Sequence, residues 1–264
     1  MKLKNKRILL TGASSNLGKE LALALAARGA RLYLVGRNEQ ALLTLQRRLP
    51  DASHHNILLA DLSDEQDRDA LAECFPDNVR LDVLINNTDT STFGLFEEQS
   101  QDAIRRQLAL NTEAPILLTH ALLGCISTPG IIMNIGSTLD GIGYPGYSAY
   151  CASKFALRGF SEALRRELSS KGIKVLHLAP RSIHTGRDAP KTNALVHALG
   201  YHSDKPAWVA EQVVNALEQE TVRRWLGWPE KLFVRLNALV PAVVDRAIRR
   251  QLAAIQHYAK TQKK

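Results

Sequence analysis

"LLTGASSNLGKE", residues 9–20, decides the fold. An apolar run ends at Leu10, Gly12 lets the chain leave the strand, and Gly18 allows the following helix to pack close to the sheet. Between the two glycines, backbone N–H groups from Ser14 and Ser15 through Asn16 and Leu17 face outward. That is the arrangement that holds a pyrophosphate on a helix N-terminus. Asn16 stands where a third glycine is expected. Asparagine tolerates left-handed backbone angles, so the turn reads as modified but competent. An ordinary strand-to-helix turn has much the same sequence, and the turn alone does not establish a nucleotide.

Working outward, short apolar runs alternate with helix-length amphipathic segments as far as about residue 225. The runs are Ile8–Leu10, Leu32–Val35, Ile57–Leu59, Val83–Ile85, Ile131–Ile135, Val175–Leu178 and Val222–Leu226. Strands apolar on both faces and separated by helices imply a parallel sheet covered on both sides. The expected fold is therefore a Rossmann-type doubly wound α/β domain of about seven strands. With 264 residues, 45% hydrophobic and 23% charged, the chain fits one such domain and not two. Residues 1–228 are read as this domain and 229–264 as a helical extension.

The three cysteines, Cys74, Cys125 and Cys151, are scattered, which suits a reducing cytosol, and no His/Cys spacing suggests a metal. The basic start at Met1–Arg7 runs straight into a strand and leaves no room for a signal-peptide core. Nor does an uncharged apolar run reach the length of a membrane span.

Further positions fall in order after the turn. Asn86-Asn87 ends the fourth strand, Asn134-Ile-Gly-Ser137 ends the fifth, and Tyr150-Cys-Ala-Ser-Lys154 opens a helix. As an ordered set these resemble the short-chain dehydrogenase/reductase family, over essentially the whole chain to about Leu226. Tyr150 and Lys154 lie one helical turn apart and project from one face. A fixed ammonium there is expected to lower the tyrosine pKa, so that Tyr150 can exchange a proton with a substrate oxygen. Ser137 would hold that oxygen in line for hydride transfer. The resemblance implies a fourth member, Asn111, anchoring a water in a proton relay, and a ribose grip by Lys154.

No side chain here can carry a hydride, so a nicotinamide dinucleotide is implied. The second strand ends at Arg37 with no acidic residue to hold two ribose hydroxyls, which favours NADP over NAD. Ser14 could add a contact to the same 2′-phosphate. By resemblance, Asp61 and Leu62 bracket the adenine, Asn87 lies along its ribose, and the Pro180–Thr185 loop with Ile183 and Thr185 borders the nicotinamide. Asn16, Thr88-Asp89 and Arg181 replace residues that are usually glycine or alanine in the family, and Arg181 could reach into the substrate mouth. A rival reading therefore stays open: an NADP-binding sensor or scaffold that turns over poorly. Cys151 reads as a packed thiol and His177 as a packing or surface residue.

The charge is uneven. Arg223 to the C-terminus holds ten Lys/Arg against Glu230 and Asp245, and so carries the whole net +8. Pro241 divides this stretch into two helices. In the second, Val244, Ile248, Leu252 and Ile255 recur at helical spacing among Arg246, Arg249 and Arg250. Such a helix packs on its own domain or a second subunit, or adheres to an anionic membrane at the cytoplasmic inner face; nucleic acid fits less well. Residues 186–206 are expected to cover the pocket, with Leu195, Val196, Leu199 and Tyr201 giving an apolar lining. The expected activity is reduction of a hydrophobic or lipid-like carbonyl. The family's usual pairing into dimers or tetramers would use helices near 104–123 and 152–168.

Overall fold

The computed structural model describes residues 1–76, 79–181, 189–201 and 203–260. Seven strands form one parallel sheet: β1 (Arg7–Leu10), β2 (Arg31–Gly36), β3 (Asn56–Leu59), β4 (Leu81–Asn86), β5 (Ile126–Ile135), β6 (Ile173–Ala179) and β7 (Arg223–Trp225). Their order across the sheet is β3-β2-β1-β4-β5-β6-β7. The order reverses between β1 and β4, opening a crevice beyond their carboxyl ends, the usual ligand position in such sheets.

The helices are α1 (Asn16–Ala27), α2 (Glu39–Arg48), α3 (Glu65–Glu73), α4 (Gln101–Leu108), α5 (Ala114–Leu122), α6 (Ser148–Glu167), α7 (Ala189–Ala198), α8 (Pro206–Glu218), α9 (Glu230–Leu239) and α10 (Pro241–Lys260). Two apolar layers result, as strands buried on both faces require. One packs α1 and α8 against Ile8, Leu10, Val83, Ile85 and Leu176. The other packs α5 against Leu9, Leu84, Ile132 and Val175.

Residues 101–125 form one helical run long and apolar enough by composition to cross a membrane. Its Leu118 and Leu122 are fully buried on the sheet, while Leu108 and Leu117 are exposed. Within that run, residues Ala109–Glu113 adopt π-helical geometry. Such a bulge often marks a functional position, and Asn111 sits on it.

α9 and α10 fold back over the domain. Val234, Val244, Ile255 and Ala259 are buried, while Ile248 and Leu252 are half-buried. Asn237 Nδ2 donates to the Gly141 carbonyl at 2.9 Å. The segment expected only as a cover contains the ordered helix α7, whose Leu195 is buried.

Candidate active site

The glycine turn closes as the sequence requires. A side chain at Gly18 would collide with the Gly12 carbonyl, and Gly12 itself has φ +63°. Ser15 caps α1: its hydroxyl accepts from Gly18 N–H at 3.0 Å and its carbonyl from Lys19 N–H at 2.9 Å. The N–H groups of Asn16 and Leu17 are left to meet an anion. Asn16 differs from expectation. It is the first residue of α1 and has no positive φ, so its tolerance of left-handed angles plays no part. Asparagine replaces glycine here without backbone cost.

β4 braces the turn. Thr11 Oγ1 accepts from Asn87 N–H at 2.9 Å and Thr88 N–H at 3.0 Å, and Asn87 Nδ2 donates to the Thr11 carbonyl at 3.0 Å. At the far end, a side chain at Gly36 would touch Ser14 Oγ, which places Ser14 beside the β2 exit. Arg37, well exposed, pairs with Asp61 at 3.3 Å. Burial would raise the Asp61 carboxyl, but the Ser63 hydroxyl and N–H, with Arg37, hold it below the usual carboxylate range. Leu62 is buried, and its carbonyl accepts from Arg68.

Tyr150, Lys154 and Ser137 come together above β4 and β5. Ser137 leaves β5 and caps a turn of 3-10 helix over Thr138–Asp140. The Thr138 N–H donates to the Pro180 carbonyl at 2.9 Å, joining the β5 and β6 exits. Lys154 is buried to 1% exposure, and its Nζ donates to the Ile135 carbonyl at 3.3 Å. Ile183 and Thr185 lie outside the described residues.

Asp89 was not expected in this group. Its Oδ2 lies 3.1 Å from the Tyr150 hydroxyl and 3.1 Å from Lys154 Nζ. The expectation that Lys154 lowers the tyrosine pKa is reversed in this arrangement. Burial first, then the Asp89 charge, pushes Tyr150 well up, with Ser137 pulling weakly the other way. The ammonium's positive charge is countered by the carboxylate that contacts both it and the phenol. The sequence signal was the acidic residue itself, standing where the family pattern has a small one.

Asn111, fully buried, bonds to neither Tyr150 nor Lys154 through its side chain. Its Oδ1 accepts from Thr90 N–H at 2.8 Å, and its Nδ2 donates to the Thr90 carbonyl at 2.8 Å and to Ser153 Oγ at 3.0 Å. It braces the β4 exit loop against the first turns of α6.

Arg181 does not enter the substrate mouth. It grips Asp204 with two bonds, 2.9 and 2.7 Å, and donates to the Trp228 carbonyl at 3.2 Å. Cys151 is a packed thiol that burial pushes up. His177 is buried against Asp140, at 2.7 Å.

Beside the tyrosine runs an aromatic row that periodicity did not reveal. Ring centroids of Tyr147 lie 6.0 Å from Tyr150, 6.5 Å from Tyr144 and 5.0 Å from Phe93. Gln251 of α10 accepts from both Tyr144 at 3.2 Å and Tyr201 at 2.7 Å, so the tail supports one wall of the mouth. Tyr201, expected as lining, is therefore tied to α10.

The family model described as short chain dehydrogenase matches residues 6–195. The chain belongs to the short-chain dehydrogenase family. It is 32% identical over 272 residues to YxnA, an uncharacterized oxidoreductase of Bacillus subtilis, covering 97% of this chain and 75% of that protein. A short-chain dehydrogenase from Streptomyces avermitilis superposes with TM-score 0.77 at 27% identity, covering 98% of this chain and 99% of that one. Two more distant members share the fold: one from Burkholderia cenocepacia in complex with NADP (TM-score 0.80, 22% identity, 94% of this chain and 99% of that one) and one from Burkholderia phymatum in complex with NAD (0.81, 20%, 92% and 96%). Family membership makes this short-chain dehydrogenase an oxidoreductase acting on CH–OH or C=O groups with a nicotinamide cofactor.

Proposed function

We propose that the chain is an NADP(H)-dependent carbonyl reductase for hydrophobic substrates, with Tyr150 as the acid that delivers a proton to the substrate oxygen. The observation that carries this is the convergence of Tyr150, Lys154 and Ser137 on the same carboxyl edge of the sheet as the α1 N-terminus. That cradle suits a dinucleotide, since Gly12 and Gly18 add no side chain of their own and, among the described residues, the N–H groups of Asn16 and Leu17 at the start of α1 bond to no other group. Bound in it, a nicotinamide supplies the hydride that no side chain can. Gly12, Ser14, Ser15, Asn16, Leu17, Gly18, Arg37, Asp61, Leu62, Asn87, Pro180, Ile183 and Thr185 would hold the cofactor, with Lys154 on its ribose. Ser137 orients the carbonyl, and Asn111 keeps the loop and helix in register. The row of Phe93, Tyr144 and Tyr147 favours an apolar or aromatic substrate. The test is NADPH consumption across hydrophobic ketones, aldehydes and 3-oxoacyl thioesters. Tight NADPH binding with no turnover on any of them would favour the sensor or scaffold reading instead.

Arg37 is exposed at the β2 exit with Ser14 beside it, a suitable pair for a 2′-phosphate. Arg37→Ala is expected to weaken NADPH binding about tenfold or more, the worth of a charge-assisted bond, and to leave NADH binding nearly unchanged. Isothermal titration with both cofactors checks this, and equal losses for the two would count against the NADP preference.

Residues 1–228 form the catalytic domain in this reading, and 229–264 an extension. Leu108, Leu117 and Phe155 are exposed on α4, α5 and α6 and suit a second copy of the chain in a dimer or tetramer. At the α9–α10 bend, Leu239 is 80% exposed beside exposed Val240 and Val243, with Arg235, Arg246, Arg249 and Arg250 exposed on the same two helices. That pattern suits a cytoplasmic protein resting on an anionic lipid surface. Co-sedimentation with phosphatidylserine vesicles is expected, and its loss in the double variant Leu239→Glu, Val243→Glu; no sedimentation of the wild type at low salt would overturn it.

A further inference from the structure

Asp89 is held in place from several sides. Before it, the Asn87 and Thr88 N–H groups share Thr11 Oγ1; after it, Thr90 is bonded through both N–H and carbonyl to Asn111. Two residues further on, Thr92 N–H donates to Gln107 Oε1 at 3.0 Å, and Gln107 is itself buried. A loop fixed at four successive points presents the carboxylate in one place. There a single oxygen faces both groups on which proton transfer depends.

We propose that Asp89 is a positioning residue that keeps the proton on Tyr150 and occupies Lys154, moving the pH range in which this site exchanges its proton upward. The proposal rests on the reductase reading above and assigns the pH range in which that site works. In reduction the carbonyl π bond breaks, its carbon gains the hydride from the reduced nicotinamide, and its oxygen takes the Tyr150 proton. The phenolate left behind recovers a proton from solvent. Oxidation runs the other way and needs Tyr150 deprotonated before the alcohol proton can leave. A carboxylate 3.1 Å from the phenol oxygen disfavours the phenolate, the state that oxidation starts from and reduction ends on, so both directions feel the charge. Among the described residues, the groups facing the phenol are Asp89 from the β4 loop, Ser137 from the β5 exit, Tyr147 just before α6, and Lys154 on it. Of these only Lys154 favours the phenolate by charge, and Asp89 is in ionic contact with it.

The experiment compares wild type, Asp89→Asn and Asp89→Gly by two readouts. The first needs no turnover. Near-ultraviolet tyrosinate absorbance is followed against pH in each protein without cofactor, and the same protein carrying Tyr150→Phe is subtracted to isolate the Tyr150 signal. The neutral variants are expected to ionise Tyr150 about one pH unit or more below wild type, the usual effect of one adjacent charge. The second readout is the pH profile of alcohol oxidation by NADP, whose rise with pH should move down by the same interval. Coincident Tyr150 titrations in wild type and both variants would overturn the proposal. If no alcohol or carbonyl is turned over, the reductase reading fails while the absorbance titration still decides the role of Asp89. Using glycine as well as asparagine covers the case in which one variant does not fold.

Discussion

Replacing Tyr150 by phenylalanine is expected to lower kcat by about 10²–10⁴-fold, the contribution of a positioned general acid, and to leave NADPH binding within a few-fold of wild type. Phenylalanine keeps the ring and its edge contact with Tyr147, so the packing of α6 against the mouth survives. Only the hydroxyl goes. Asp89 loses one partner but keeps Lys154, and with its side chain 43% exposed it is not stranded without water. The cofactor cradle proposed on the β1–α1 turn is braced by Thr11 and Asn87, with no bond to the phenol among these contacts. The check is steady-state NADPH oxidation with the best carbonyl from the panel, beside cofactor binding followed by fluorescence. A variant with wild-type kcat would remove Tyr150 from the chemistry, and one that no longer bound NADPH would show that the hydroxyl serves the cofactor instead.

Much of this architecture was legible because burial on both faces leaves a plain mark. Ile8, Leu9, Leu10, Val83, Leu84 and Ile85 are all fully buried, and continuous apolar runs of that length between amphipathic helices leave few folds open. Tyr150 and Lys154 were legible because their relation is local, one turn of one helix. What escaped the sequence was non-local or weakly patterned. Asp89 meets Tyr150 across 61 residues, and no periodicity reports such a contact. Asn111 was placed correctly on its helix, but its bonds to Thr90 depend on a π-helical turn that has no simple sequence mark. Helix α7, Ala-Pro-Lys-Thr-Asn-Ala-Leu-Val-His-Ala, has too slight an apolar stripe to announce itself. For the tail, the apolar spacing did predict the buried side: Val244 and Ile255 face the domain. Gln251, which joins that helix to Tyr144 and Tyr201, is polar and invisible to the same pattern.

Asp140→Ala is expected to be the most destabilising of these changes, costing about 3–5 kcal/mol, because it strands three buried groups at about 1–3 kcal/mol each. The Asp140 side chain is fully buried. Its Oδ1 accepts from Trp225 Nε1 at 3.0 Å, and its Oδ2 bonds His177 Nε2 at 2.7 Å and accepts from Ser137 N–H at 3.3 Å. Beyond His177 the network runs through Ser161 and Asn134 to Asn86, reaching β4 from β7 under the active site. Alanine leaves three donors facing a void, and each buried unpaired group costs about 1–3 kcal/mol. Asparagine is expected to cost less, because it keeps the volume and one acceptor, and His177 can change tautomer to meet the new amide. Urea unfolding of both variants measures the difference, and a loss below about 1 kcal/mol for alanine, the worth of one ordinary hydrogen bond, would mean that water replaces the carboxylate. The functional consequence is separable from the stability loss. The Ser137 backbone is held by this carboxylate on one side, and its neighbour Thr138 by the Pro180 carbonyl on the other. Loosening the first bond shifts the hydroxyl proposed to orient the substrate, so well below the unfolding midpoint the alanine variant should lose kcat more than it loses NADPH affinity.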